Sequence, residues 1–158
     1  MKYIKYALVI MIPLLIMCAC SLGNTPTSKV EDLFTKYQKL DKDITTQIDN
    51  VLNNADLNQI DKDRYRKIME KQYRNLTYEI KDERIDGDNA IVTVTIEVLD
   101  YKKVVDTSSV DSDKIDRLEK VKDKVKYTLD LEVYKDKNGN WTLNNLTETD
   151  IKKIEGMY

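Results

Sequence analysis

Histidine is absent from the sequence, and its absence rules out several kinds of catalytic and metal site. Without histidine the chain cannot build a Ser-His-Asp or Cys-His nucleophile or a histidine-ligated metal centre. Only four glycines are present, and none has the GxGxxG or GxxxxGK[ST] spacing of phosphate-binding loops. The formal net charge of −2 argues against nucleic-acid binding, which needs a basic surface to displace counterions.

Cysteine is almost as scarce, because the chain has two and both lie near the N-terminus, at Cys18 and Cys20. The remainder of the chain therefore contains no disulfide, thiolate metal site or cysteine nucleophile. The 158 residues suit one domain, and 41% of them are hydrophobic, which is enough for one core. No cofactor is predicted.

The first nineteen residues are typical of a signal peptide. Lys2 and Lys5 form a positive region, and the uncharged apolar run Tyr6–Ala19 is broken only by Pro13. This run is shorter than the roughly 20 apolar residues that a membrane-spanning helix needs. We therefore predict a signal peptide over residues 1–19.

The segment Met17-Cys18-Ala19-Cys20-Ser21 resembles the bacterial lipobox, which has an aliphatic residue at −3 and a small one at −1. The resemblance implies that Cys20 is lipidated and becomes the first residue of the processed chain. Its diacylglyceryl group supplies two acyl chains, which is enough for stable anchoring at the extracytoplasmic face of a bacterial membrane. The alternatives are an ordinary signal peptide with an incidental cysteine, or an uncleaved anchor.

Residues 20–27 are predicted to form a tether and residues 28–158 a single domain. Ser28 and Glu31 have capping-box spacing, with Ser28 as the N-cap. Apolar residues at helical spacing then predict one long amphipathic helix ending at Asn53-Asn54, with Phe34 and Tyr37 at the centre of the core. This apolar series is Val30, Leu33, Phe34, Tyr37, Leu40, Ile44, Ile48, Val51 and Leu52. A second helix is predicted from a second series, Leu57, Ile60, Tyr65, Ile68, Met69, Tyr73 and Leu76.

The apolar period then changes to two, which indicates strands. Asp86-Gly87 and Asn138-Gly139 predict two hairpins, and Val110 to Lys124 predicts a helix between them. Thr147 and Asp150 open a last short helix, which Gly156 closes. The predicted order is helix, helix, hairpin, helix, hairpin, helix, which indicates an α+β domain with the first helix packed in a curved antiparallel sheet. This order resembles the cystatin-like roll of the nuclear-transport-factor-two-like superfamily.

Three short stretches are similar to small lipoproteins of AT-rich Gram-positive bacteria. They are Asn75-Leu76-Thr77-Tyr78, Ile85-Asp86-Gly87-Asp88, and Trp141-Thr142-Leu143 through Gly156-Met157-Tyr158. The resemblance covers most of the processed chain and implies the fold and the membrane location. It implies no activity and no catalytic residues.

Carboxylate clusters are the remaining candidates for metal or acid–base chemistry. Four acidic stretches have closely spaced carboxylates, but none matches the calcium-loop pattern. They are Asp41-Lys42-Asp43, Asp61-Lys62-Asp63, Asp111-Ser112-Asp113 and Asp136-Lys137-Asn138-Gly139-Asn140, the last of which reads better as a hairpin turn. The alternation of apolar and polar residues along the predicted strand places Asp130 and Glu132 on its solvent-facing side. Asp123 either joins the apolar series of that strand or marks a helix-to-strand junction. Lys120, Lys122, Lys124 and Lys126 indicate a solvated edge or a contact with anionic lipid.

The sequence therefore favours a membrane-anchored, non-enzymatic binding or interaction module. Its ligand would be a protein partner, a cell-envelope component or a small apolar molecule. The alternative is a small-molecule enzyme that uses carboxylate and tyrosine groups in the cone of the sheet.

Overall fold

A computed structural model describes residues 23–107 and 111–158, so the predicted signal peptide, Cys20 and Val110 lie outside the described residues. The described part contains six helices and four strands, which confirms the predicted α+β class. The helices are α1 (Pro26–Lys39), α2 (Lys42–Asn54), α3 (Gln59–Asn75), α4 (Lys102–Thr107), α5 (Asp111–Glu119) and α6 (Glu148–Ile154). The strands are β1 (Thr77–Asp86), β2 (Asn89–Leu99), β3 (Lys124–Lys135) and β4 (Trp141–Leu143).

The single long N-terminal helix predicted from periodicity is wrong, because the chain forms α1 and α2 instead. Leu40 takes a left-handed conformation with φ 51° and ψ 52° and ends α1. The Asp41 carboxylate then accepts the N–H of Asp43 and caps α2. A left-handed leucine is unfavourable, and it is compensated here because the break lets α2 turn its buried residues Ile44 and Ile48 toward the core.

The N-terminal cap of α1 also differs from the prediction. Thr25, not Ser28, is the N-cap, and helix α1 begins at Pro26, two residues before the predicted cap. The Ser28 N–H donates to the Thr25 hydroxyl, while the Thr25 N–H donates to the Ser28 hydroxyl. The capping box is therefore present, but Ser28 occupies its third helical position. Pro26 suits the first turn because its missing N–H would have no helical partner there.

The four strands form one antiparallel sheet in the order β1-β2-β3-β4. Both predicted hairpins are confirmed, with Gly87 and Gly139 at positive φ in their turns. The inner face of β2 supplies a buried row, namely Ala90, Val92, Val94, Ile96 and Val98. Helix α1 contacts all four strands and buries Val30, Phe34 and Tyr37 against them.

Between the hairpins the described residues form two helices where the sequence predicted one. Helix α5 falls within the predicted segment, but α4 was not predicted, and its six residues are too few to show a helical period. With the break at Leu40, the observed order therefore differs from the predicted one in two places. In the described part of the chain, no helix combines the length and apolar character needed to cross a bilayer.

Candidate functional site

A cavity of about 490 Å³ lies among the helices, next to the C-terminal end of β2. Its volume is within the range of small-molecule sites. Most of its lining is aliphatic or aromatic, with a few polar and charged groups. The lining comprises Val51, Leu52, Ala55, Asp56, Leu57, Tyr65, Ile68, Met69, Gln72, Tyr73, Tyr101, Val105, Lys114, Leu118, Glu155 and Met157.

The cavity lies at the junction of two hydrophobic clusters. The larger cluster joins the sheet to α1, α2 and part of α3, and it includes Leu52 and Tyr73. The smaller cluster joins α3 to α5 and includes Ile68, Tyr101 and Leu118. Residues of both clusters line the cavity, which is the space left between the two clusters where their side chains do not pack against one another. Helix α3 belongs to both clusters and forms the shared wall.

Polar contacts hold α5, one wall of the cavity, against α3. The Arg64 guanidinium donates to both carboxylate oxygens of Glu119, at 2.7 and 2.8 Å, and it also pairs with Asp116. These contacts lower the pKa of both carboxyls, because the guanidinium hydrogen-bonds to their charged form. The Lys71 ammonium donates to the carbonyls of Glu119, the last residue of α5, and Val121, just beyond it.

The buried amide of Gln72 fixes the end of β2 to α3. Its Nε2 donates to the Leu99 carbonyl at 3.1 Å, and its Oε1 accepts the Leu99 N–H at 2.9 Å. Gln72 is only 1% exposed, so each of these groups needs its partner. This amide pair positions the chain that continues to Tyr101 in the cavity wall.

Two buried tyrosines also line the cavity. The Tyr101 hydroxyl donates to the Ile68 carbonyl at 3.3 Å, and Tyr73 packs edge-on against Tyr37, with ring centroids 4.9 Å apart. Burial raises the pKa of Tyr101 to about 12. The pKa of Tyr73 is raised more strongly, mainly by burial and to a smaller extent by the negative charge of Glu155. Both phenols are therefore neutral at physiological pH and act as donors or as aromatic surfaces.

Glu155 is the half-buried carboxyl of the cavity. It follows the last turn of α6, and its N–H donates to the Ile151 carbonyl at 2.9 Å. Burial raises the pKa of the Glu155 carboxyl, and no opposite charge within residues 23–107 and 111–158 offsets that effect. Among the described residues, no hydrogen bond or ion pair reaches this carboxylate. An acid of this kind is a candidate for ligand recognition.

The acids singled out in the sequence lie elsewhere. Asp123 is exposed in the loop before β3, where its carbonyl accepts the Asp100 N–H, so it marks the helix-to-strand junction. Asp130 and Glu132 are exposed on β3, as the alternation predicted. The Asp136 carboxylate accepts the N–H groups of Asn138 and Asn140, which confirms the predicted hairpin turn.

The described residues include no cluster of three or more potential ligands placed to hold a metal ion. The lysines singled out in the sequence, Lys120, Lys122, Lys124 and Lys126, are exposed around the start of β3, and Lys124 pairs with Glu97 at 3.7 Å. This arrangement supports a solvated edge.

Sequence reasoning missed Glu155. Its one local signal is that it stands between the apolar Ile154 and the helix-closing Gly156, where a charged residue is drawn close to the core. No model of a protein family, no curated protein and no solved structure matches the chain.

Proposed function

We propose that this protein is a lipid-anchored extracytoplasmic lipoprotein that binds a small, largely apolar molecule without transforming it. The observation that carries the binding proposal is the cavity of about 490 Å³ where the two hydrophobic clusters meet. Its aliphatic and aromatic walls favour an apolar ligand, because transfer of apolar surface out of water drives such binding.

The position of Asn24, close to the predicted anchor at Cys20, supports capture of the ligand away from the membrane. The Asn24 side-chain oxygen accepts the Trp141 N–H at 2.8 Å, so the first described residues lie beside β4. Trp141 pairs with Lys135 at one end of β3, whereas Leu99 and the cavity lie at the other end. Strand β2 spans 11 residues, or roughly 35 Å at about 3.3 Å per residue, between these two ends. An anchor at Cys20 would therefore place the cavity away from the bilayer.

The packing of α1 and the shape of the sheet support a cystatin-like roll. Helix α1 lies against all four strands, as expected for a helix packed in the concave face of a cystatin-like roll. The pairing register of β1 with β2 shifts between Ile80 and Asp82. An irregularity of this kind increases the local twist and bending of a sheet. We propose this roll, and with it the relationship to the small lipoproteins named above.

An enzyme using Glu155 and the tyrosines is the second candidate, because a carboxyl of raised pKa and two phenols line one cavity. Acid–base catalysis needs a group that exchanges protons near the working pH, ideally paired with a second group of different pKa. Burial keeps Tyr73 and Tyr101 protonated, and among the described residues no hydrogen bond joins either to Glu155. These observations favour binding over catalysis.

Lipidation is tested by replacing Cys20 with serine in the native host. We expect Cys20→Ser to move the protein from the membrane fraction to the soluble fraction, because serine cannot form the thioether that carries the acyl chains. Cys18→Ser is the matched control and should stay membrane-bound. A Cys20→Ser protein that remains in the membrane at its uncleaved length would contradict the lipobox assignment.

Ligand binding is tested with 1-octanol, a neutral apolar probe, on the full chain reconstituted in phosphatidylcholine vesicles. We expect saturable binding by calorimetry after subtraction of protein-free vesicles. Ala55→Trp, which places a large ring in the cavity lining, should weaken it at least tenfold. Asn53→Trp, exposed on the same segment, should bind like wild type. Equal binding by both variants would show that octanol binds elsewhere.

A further inference from the structure

We propose that the cavity binds an amphiphile with an organic ammonium head group, which pairs with Glu155 while its apolar chain lies among the aliphatic walls. The inference rests on the proposed ligand-binding function and adds the charge and chemical class of the ligand. It follows from three features of the cavity lining, which are the balance of charge, the isolation of Glu155, and the tyrosine rings.

The first feature is the balance of charge. Three charged side chains line the cavity, namely Asp56, Lys114 and Glu155. Two carboxylates against one ammonium leave the lining negative, so it attracts a cation and repels an anion. Asp56 is exposed on the loop between α2 and α3, whereas Glu155 is half-buried at the end of α6. Glu155 is therefore the acid that meets a ligand away from bulk water.

The second feature is that Glu155 has no counter-ion among the described residues. Lys114 lines the same cavity, yet in the part of the chain that the structure describes no positive charge lies close enough to the carboxyl to offset its burial. A carboxylate held away from water is unfavourable until an opposite charge pairs with it. A ligand ammonium supplies that charge, whereas a neutral or anionic head group leaves the carboxylate without a partner.

The third feature is the set of tyrosines in the wall, Tyr65, Tyr73 and Tyr101. The face of an aromatic ring attracts cations, and it favours quaternary ammonium groups because these need no hydrogen-bond acceptor. Aromatic rings beside a carboxylate are the usual elements of such recognition. The aliphatic part of the lining, including Val51, Leu57 and Met69, provides the surface for the chain of the amphiphile.

The experiment compares three probes with the same eight-carbon chain, namely octyltrimethylammonium, 1-octanol and octanoate. Each is titrated into the full chain in phosphatidylcholine vesicles, with protein-free vesicles as the blank. We expect the cation to bind at least about tenfold more tightly than the alcohol, and the anion to bind most weakly. Glu155→Gln should remove most of the preference for the cation over the alcohol.

The matched control is Glu148→Gln, which makes the same change of charge at the other end of α6, on an exposed side chain paired with Lys152. It should keep the preference for the cation. Glu155→Gln retains the shape of the side chain and removes an unfavourable buried charge, so we expect it to fold, and circular dichroism checks this.

The outcomes separate the two proposals. Binding of octanol without preference for the cation, or a preference that survives Glu155→Gln, overturns the ammonium inference and leaves the binding function intact. Loss of the preference in Glu148→Gln as well would show that it reflects overall charge, which also overturns the inference. Failure of all three probes to bind overturns both proposals.

Discussion

Replacing Phe34 with alanine is expected to lower the free energy of unfolding by about 3–5 kcal/mol, the usual cost of truncating a buried phenylalanine. Phe34 is fully buried on α1, and its ring stacks on Tyr78 of β1 with centroids 5.0 Å apart. Truncation removes both the transfer free energy of the ring and its packing against the sheet. A small domain has about 5–15 kcal/mol of stability in total, so this one change removes a large part of it.

The matched control is Lys36→Ala on the exposed side of the same helix. Lys36 forms a solvent-exposed ion pair with Asp43, at 3.7 Å, and such pairs contribute little. We expect its stability to stay within about 0.5 kcal/mol of wild type in urea unfolding of the lipid-free protein. Equally small effects from both variants would contradict the central position of α1 in the core.

The features that could be predicted from the sequence are those that short stretches determine. Both hairpins follow from Asp86-Gly87 and Asn138-Gly139, because glycine adopts the positive φ that each turn requires. The cap of the last helix follows from Thr147 and Asp150, whose side chains and N–H groups bond reciprocally. The apolar face of α1 follows from helical spacing and places Phe34 in the core.

The break between α1 and α2 could not be predicted from periodicity, since the apolar series continues through it. Leu40 has no preference for a left-handed conformation, and what favours the break is the tertiary packing of α2 on α3. The cavity could not be predicted from the sequence either. Its walls come from segments distant in sequence, such as Leu52, Tyr101 and Glu155, and no local pattern shows that their packing leaves a space.

The C-terminal turn should be as sensitive to substitution as the core. We expect Gly156→Ala to lower the free energy of unfolding by roughly 3 kcal/mol or more. The left-handed backbone conformation costs an alanine about 1–2 kcal/mol. Each buried polar group that loses its hydrogen-bond partner costs about 1–3 kcal/mol more. Gly156 has φ +69°, and its carbonyl accepts the N–H groups of Tyr101 and Lys102, both at 2.9 Å. An added Cβ would lie 1.9 Å from the Leu99 carbonyl oxygen and 2.5 Å from Gln72 Nε2.

The Leu99 carbonyl is main chain and cannot rotate away as a side chain would, so relief of this clash requires the turn to shift. That shift disturbs the Gln72–Leu99 amide pair and the position of Glu155 in the cavity, so loss of octanol binding should accompany the loss of stability. Gly87→Ala is the matched control, because Gly87 has φ +59° but nothing within 4 Å of an added Cβ. It should cost only the left-handed penalty of about 1–2 kcal/mol and leave octanol binding unchanged. Equal losses for the two variants in urea unfolding would mean that the C-terminal turn does not pack against Leu99.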